Sequence, residues 1–196
     1  MKKMTVLLSA MILSGLASAT EVRGFDLGGV KLGMSPAEAK AALQARCQRD
    51  QGKFDITAIF EPNPYLPGKK YNQYMHCNAP AGKTSVHVRA IPGGAIVVER
   101  VIYEMPWNND NVKALRANAV AKYGEPTNII QMGPDPEWCE SPHASWPGGP
   151  ACQDDVGRSA GARLRVTSTR IELYDPQPSD LVQADRKAKE TVKPSL

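Results

Sequence analysis

TSVHVRAIPGGAIVVERVIYEM, residues 84–105, decides the fold. Residues 84–91 and 95–105 are rich in β-branched side chains and alternate with period two, and Pro92-Gly93-Gly94 separates them. That pattern predicts an antiparallel hairpin closed by a short turn. In the second run Val97, Val101, Tyr103 and Met105 alternate with Ile96, Val98, Arg100, Ile102 and Glu104. Both sets begin apolar, so this strand is expected near the middle of a sheet rather than at its edge.

A helix is predicted on each side of the hairpin. Before it, Ser35 can cap a helix that begins at Pro36, and Glu38 stands where a capping box needs it. Ala39, Ala42, Leu43 and Cys47 then share one face at the 3.6-residue period, and Met34 can staple onto Ala39. After the hairpin, Asn109 or Asp110 is expected to cap a helix whose buried face carries Val112, Leu115, Ala119 and Tyr123. Gly124 stops it, Pro126 lies beyond, and Lys122 complements the helix dipole. Residues 25–32 read as an extended lead-in, with Gly33 allowing the turn into the first helix. Further strands are expected over 54–60, 127–132, 163–167 and 170–174, with Leu164, Val166, Ile171 and Leu173 facing inward.

Runs of strands between single helices favour an α+β fold, two helices packed on an antiparallel sheet, over a parallel α/β fold. The order also suggests a degenerate tandem helix–meander repeat, although no residue-by-residue repeat accompanies it. One domain is expected over residues 20–178. Residues 179–196 read as a loosely held polar C-terminal tail, with a polar helix open over residues 179–190, because apolar positions there are few.

The stretch GVKLGMSPAE, residues 29–38, resembles a motif of small bacterial envelope proteins. It is similar to the opening helix of the outer-membrane small protein A and β-lactamase-inhibitor-protein-like superfamily. There a G-x-x-x-G-M-S/T turn introduces a helix that packs on an antiparallel sheet. KYGEPT, residues 122–127, is similar to the helix exit of such a repeat. The resemblance implies an envelope protein that works by contact with another protein, as an assembly factor or as an inhibitor of an extracellular enzyme. It carries over no functional residue, since the matched positions are turn, cap and helix exit. This chain departs from the outer-membrane members in lacking a lipid-attachment cysteine, its first cysteine being Cys47, and in two long insertions.

The N-terminus reads as an export signal. Lys2 and Lys3 precede an apolar run over residues 6–16, and Ala17-Ser18-Ala19 supplies the small-x-small pattern of a cleavage site. The run is 11 residues long, against the ~20 of a spanning helix. Cleavage after Ala19 and a periplasmic or secreted location are therefore expected, with no membrane span. Lys2 and Lys3 are two of the 24 basic residues and all 20 acidic residues follow Ala19, so the chain after Ala19 carries 22 against 20, a net +2. So small a charge, with no basic stripe, gives no footprint for nucleic acid.

Four cysteines in an exported chain read as two disulfides. Three pairings are open. Cys47–Cys77 and Cys139–Cys152 are favoured because each pair brackets a segment without evident structure of its own. The rival is a metal site from Cys139, His143 and Cys152, but this spacing lacks a fourth ligand, so no metal and no cofactor are expected.

Two long segments are rich in aromatic residues. Residues 60–76 hold Tyr65, Tyr71 and Tyr74 among prolines, and residues 133–161 hold Trp138 and Trp146. These five aromatics are the candidate contact anchors for a protein partner or an envelope ligand. The competing reading has the tyrosines folded back over the sheet. Trp107, just before the second helix, is expected in the core, and His87 on an exposed strand face.

Catalytic patterns are weak. His76, His87 and His143 are scattered, Ser141-Pro142-His143 does not resemble a nucleophile elbow, and no phosphate-binding loop or dinucleotide fingerprint occurs. A non-catalytic binding protein is the favoured function. The alternatives are an envelope hydrolase assembled from dispersed residues such as His143, Asp154 and Asp155, and a structural protein without a fixed ligand.

Overall fold

A computed structural model describes residues 21–58, 63–69, 72–127, 135–140, 152 and 161–190. After a single turn of 3₁₀ helix at Val22–Gly24, β1 (Asp26–Leu27) and β2 (Val30–Lys31) form a short ribbon. The predicted extended lead-in is thus bent in two. Gly28 and Gly29 make the bend, at φ of 70° and 87°, a region closed to most side chains.

Helix α1 (Pro36–Arg49) starts as its sequence requires. The Glu38 amide donates to the Ser35 hydroxyl, and Glu38 Oε2 accepts from the Ser35 amide at 2.9 Å. Ala39, Leu43 and Cys47 are buried. Four strands follow: β3 (Lys53–Ala58), β4 (Asn72–Ala79), β5 (Gly82–Ala90) and β6 (Ile96–Glu104). Helix α2 (Asn109–Tyr123) is capped by Asn108, one residue earlier than expected, whose side chain accepts from the Asn111 amide at 2.6 Å. Then come β7 (Glu137–Cys139), β8 (Arg163–Val166), β9 (Arg170–Tyr174) and α3 (Gln177–Glu190).

β3 to β9 form one seven-stranded sheet in the order β3-β4-β5-β6-β9-β8-β7, every pair antiparallel. The class is α+β. β6 is the fourth of the seven, the central place its two apolar faces called for. Beyond the end of β9, the Gly33–Met34 turn takes over as its neighbour. Gly33 N donates to Val98 O and Val98 N to Met34 O, both at 2.9 Å.

Both α1 and α2 lie on one face of the sheet, over Val86, Val98, Val101, Leu164 and Leu173, all essentially without solvent contact. Burying each of these aliphatic side chains contributes about 1.5–3 kcal/mol. Two disulfides brace the body. Cys47–Cys77 joins the end of α1 to β4, and Cys139–Cys152 joins β7 to the following segment. Among the described residues no helix is long and apolar enough to cross a membrane.

Four expectations need correction. β4 runs through what reads as the 60–76 loop, because Met75 and Cys77 alternate inward against His76 and Asn78. The polar helix open from Ser179 starts two residues earlier, at Gln177, and is docked rather than loosely held, since Pro178 and Val182 recur on one side and are buried. Trp107 is 71% exposed rather than core. Trp138 is fully buried in β7, inside the segment read as a loop, so it is a core residue and not a contact anchor.

Candidate functional site

The second face of the sheet carries the polar residues of each alternating strand. Their register builds rows that run across the strands. One row is Tyr74, His87, Arg100, Tyr174 and Arg163, each opposite the next. All five are partly exposed. Tyr74 and His87 meet edge to face with centroids 4.5 Å apart. The Arg100 guanidinium stands 4.5 Å from the centre of the Tyr174 ring, and that of Arg163 stands 5.8 Å from it on the adjacent strand. A cation on each side of one ring fixes that ring without covering it.

The next row is Asp55, His76, Ser85, Ile102, Glu172, Arg165 and Glu137. Glu172 bridges the rows, taking Arg100 Nε at 3.1 Å and an Arg170 nitrogen at 3.2 Å. Arg165 Nε holds Glu137 at 3.1 Å. Burial pushes the Glu137 carboxyl up, against the pull of Arg165 and Arg163. Burial lowers the His76 pKa and takes that of His87 down to about 4, and repulsion from Arg100, His76, Arg170 and Arg89 acts on His87 in the same direction. Both imidazoles of this face therefore stay neutral at neutral pH.

One end of the face is closed by α3. A bulge in β6 leaves Glu99 without an opposite residue, between Val98 paired to Val88 and Arg100 paired to His87. Buried Glu99 accepts from Arg89 Nε at 2.7 Å and from the Ser179 hydroxyl of α3. Tyr65 holds the same helix through a 2.9 Å bond from its hydroxyl to Asp185.

The five predicted anchors thus fall in different places. Tyr74 lies on the open sheet face. Tyr65 packs on α3. Trp138 sits in the core, donating from Nε1 to Gly124 O at 3.1 Å and facing Tyr123 edge-on at 6.1 Å. Tyr71 and Trp146 lie outside the described residues, as do His143, Asp154 and Asp155. Arg100, Arg163, Tyr174 and Glu172 were missed as site residues. Their signal was present, since placing Leu164, Val166, Ile171 and Leu173 inward turns Arg163, Arg165, Glu172 and Tyr174 outward.

Asp55, His76 and Ser85 occupy successive strands in one row, an order of residue types used by hydrolases. Their geometry does not serve acyl transfer. His76 Nδ1 lies 3.0 Å from the Ser85 hydroxyl, but Asp55 Oδ1 accepts from the Ile56 amide. Ser85 is buried mid-strand between two neighbours, so its surroundings offer no free amides for an oxyanion. Among the described residues no group of three or more acidic, histidine or cysteine side chains could hold a metal ion.

These features define a disulfide-braced α+β domain with α1 and α2 on one sheet face and, on the other, an aromatic–cationic array with α3 at its end. Comparison with protein-family models, curated proteins and solved structures finds no match for this chain.

Proposed function

We propose that this chain is exported, cleaved after Ala19, and acts outside the cytoplasm, in the periplasm of a bacterial envelope, as a non-catalytic protein that binds a protein partner. The outward row Tyr74–His87–Arg100–Tyr174–Arg163 carries the reading. Tyr and Arg concentrate at protein interfaces because each offers large, rigid, amphipathic contact area at modest entropic cost. Here they are ordered by stacking and ion pairs before any partner arrives, which lowers the cost of association. The two disulfides support an oxidising compartment. The packing of α1 and α2 on one face of an antiparallel sheet is the arrangement implied by the resemblance of residues 29–38 to the outer-membrane small protein A and β-lactamase-inhibitor-protein-like superfamily, and it supports the envelope reading to that extent.

Site-specific photo-crosslinking in cells tests the surface. A photoreactive residue at Tyr174 is expected to give a discrete adduct that Arg100→Glu removes, whereas the same probe at Lys40, exposed on the far side of α1, gives none. Equal adducts from both positions, or adducts indifferent to Arg100→Glu, sink the surface. Fractionation with N-terminal sequencing tests the address: mature protein beginning at Thr20 in the periplasmic fraction is expected.

A further inference from the structure

On the face opposite the aromatic–cationic array, α1 and α2 stand apart and leave a cleft of about 400 Å³. That is within the size range of small-molecule sites. Tyr103 of β6, Met105 just beyond that strand and Ile171 of β9 form its floor, and Leu115 and Ala119 of α2 form one wall. Both tyrosine hydroxyls near the floor are already engaged. Tyr103 donates to Ala81 O at 3.0 Å and Tyr123 to Asp26 O at 2.6 Å. The rings therefore present apolar surface to the cleft.

The rim is cationic. Arg46 and Arg49 reach it from α1, and Lys122 from α2. The Arg46 guanidinium lies 4.8 Å from the centre of the Tyr103 ring, which fixes a positive charge over the apolar floor. Two carboxylates balance these three cations. Asp50 lies 3.1 Å from Arg46 and 3.6 Å from Arg49, and Asp26 takes Lys122 at 3.0 Å. One positive charge is left over, and Arg49, the most exposed of the three at 70%, has the longest ion pair.

We infer that this cleft binds a small amphiphilic carboxylate, its apolar body on Tyr103, Met105 and Ile171 and its carboxylate at the Arg46–Arg49 edge. An apolar floor alone accepts any greasy molecule, and a cationic rim alone accepts any anion. The two together select a ligand with both, and reject the same tail bearing a cation. The site faces away from the proposed protein-binding face, so either can fail without the other.

Octanoate and octylammonium, equal in tail and opposite in charge, are the probes. In calorimetric and amide-resolved titrations of the disulfide-intact chain, octanoate is expected to bind about tenfold or more tightly than octylammonium. Its shifts are expected at Tyr103, Met105 and Ile171. Arg49→Gln and Asn118→Glu, both at exposed positions lining the cleft, are each expected to weaken octanoate severalfold while leaving the thermal midpoint unchanged. No saturable binding of octanoate, equal binding of the two probes, or octanoate binding unchanged in both variants overturns the inference.

Discussion

Tyr74 and His87 sit directly opposite each other on β4 and β5, their rings at 81° and 4.5 Å apart. Burial first, and then Arg100, His76, Arg170 and Arg89, keep the imidazole neutral and lower its pKa to about 4. The unfolded chain takes up a proton near pH 6.5 that the folded chain refuses until about pH 4. Stability from this site is therefore intact above about pH 6.5 and is lost as pH falls toward 4. With discount for partial exposure, the loss between pH 7 and 5 is on the order of 1 kcal/mol. Urea unfolding of the parent and His87→Gln at both pH values is expected to show a loss larger by that amount in the parent, since His76, also lowered, titrates in both. Parallel pH slopes would falsify the assignment.

Trp138 stands in the core with its indole N–H satisfied by Gly124 O. Trp138→Ala removes the largest fully buried side chain among the described residues and leaves that carbonyl without its donor. The expected cost is about 3–5 kcal/mol in denaturant unfolding. A surface anchor would behave in the opposite way, weakening association while leaving stability within about 0.5 kcal/mol of the parent.

The two bridges close segments of 30 and 13 residues. On the chain-entropy account, removing Cys47–Cys77 costs about 3–4 kcal/mol and removing Cys139–Cys152 about 3 kcal/mol. Paired Cys→Ala variants compared by urea midpoint test the order. Thiol titration of the denatured, unreduced protein is expected to find no free thiol.

What the sequence made legible was whatever rests on local periodicity and local capping. Ser35 with Glu38, the Ala39–Leu43–Cys47 stripe and the alternation in β5, β6, β8 and β9 each repeat a signal within a few residues. The cysteine pairing is as expected, but its ground, a bracketed segment without structure of its own, does not hold for Cys47–Cys77, since β3 and most of β4 lie inside that bracket. β4 was hidden because Tyr71 and Tyr74, read as loop aromatics, outweighed the alternation of Met75 and Cys77. The three residues of β7 give too short a run for any period to be read, so Trp138 was placed on a surface. Trp107 reads as core from its place just before the second helix, but that place leaves it exposed. The row that makes the candidate site was harder still. It needs the register of five strands at once, and register is set by pairing between segments far apart in the chain.

The end of α1 shows how a distant contact can overrule a local rule. Gln51, not a glycine, takes the left-handed conformation after the helix, at φ of 54°. Gly52 follows, its amide donating to Cys47 O at 2.7 Å to close the last turn. Glycine ordinarily takes the left-handed position, where a Cβ costs about 1 kcal/mol. Here it is displaced by one residue because space at position 52 is filled. A Cβ there would stand 2.9 Å from Cys47 Sγ, 3.0 Å from Cys77 Sγ and 2.9 Å from Asn78 O. The cross-link and the first strand pair thus require a bare backbone at 52, and Gln51 absorbs the strain. Gly52→Ala is expected to destabilise by about 1–3 kcal/mol through crowding of the bridge. Gln51→Gly is expected to stabilise by up to about 1 kcal/mol, relief of the left-handed strain outweighing the added freedom of the unfolded chain. In the Cys47→Ala/Cys77→Ala background the sulfurs are gone, so the Gly52→Ala cost should shrink to that of the clash with Asn78 O. Chemical denaturation of the four-member cycle measures the coupling, and a Gly52→Ala penalty unchanged without the sulfurs would show that the bridge does not set the position of the glycine.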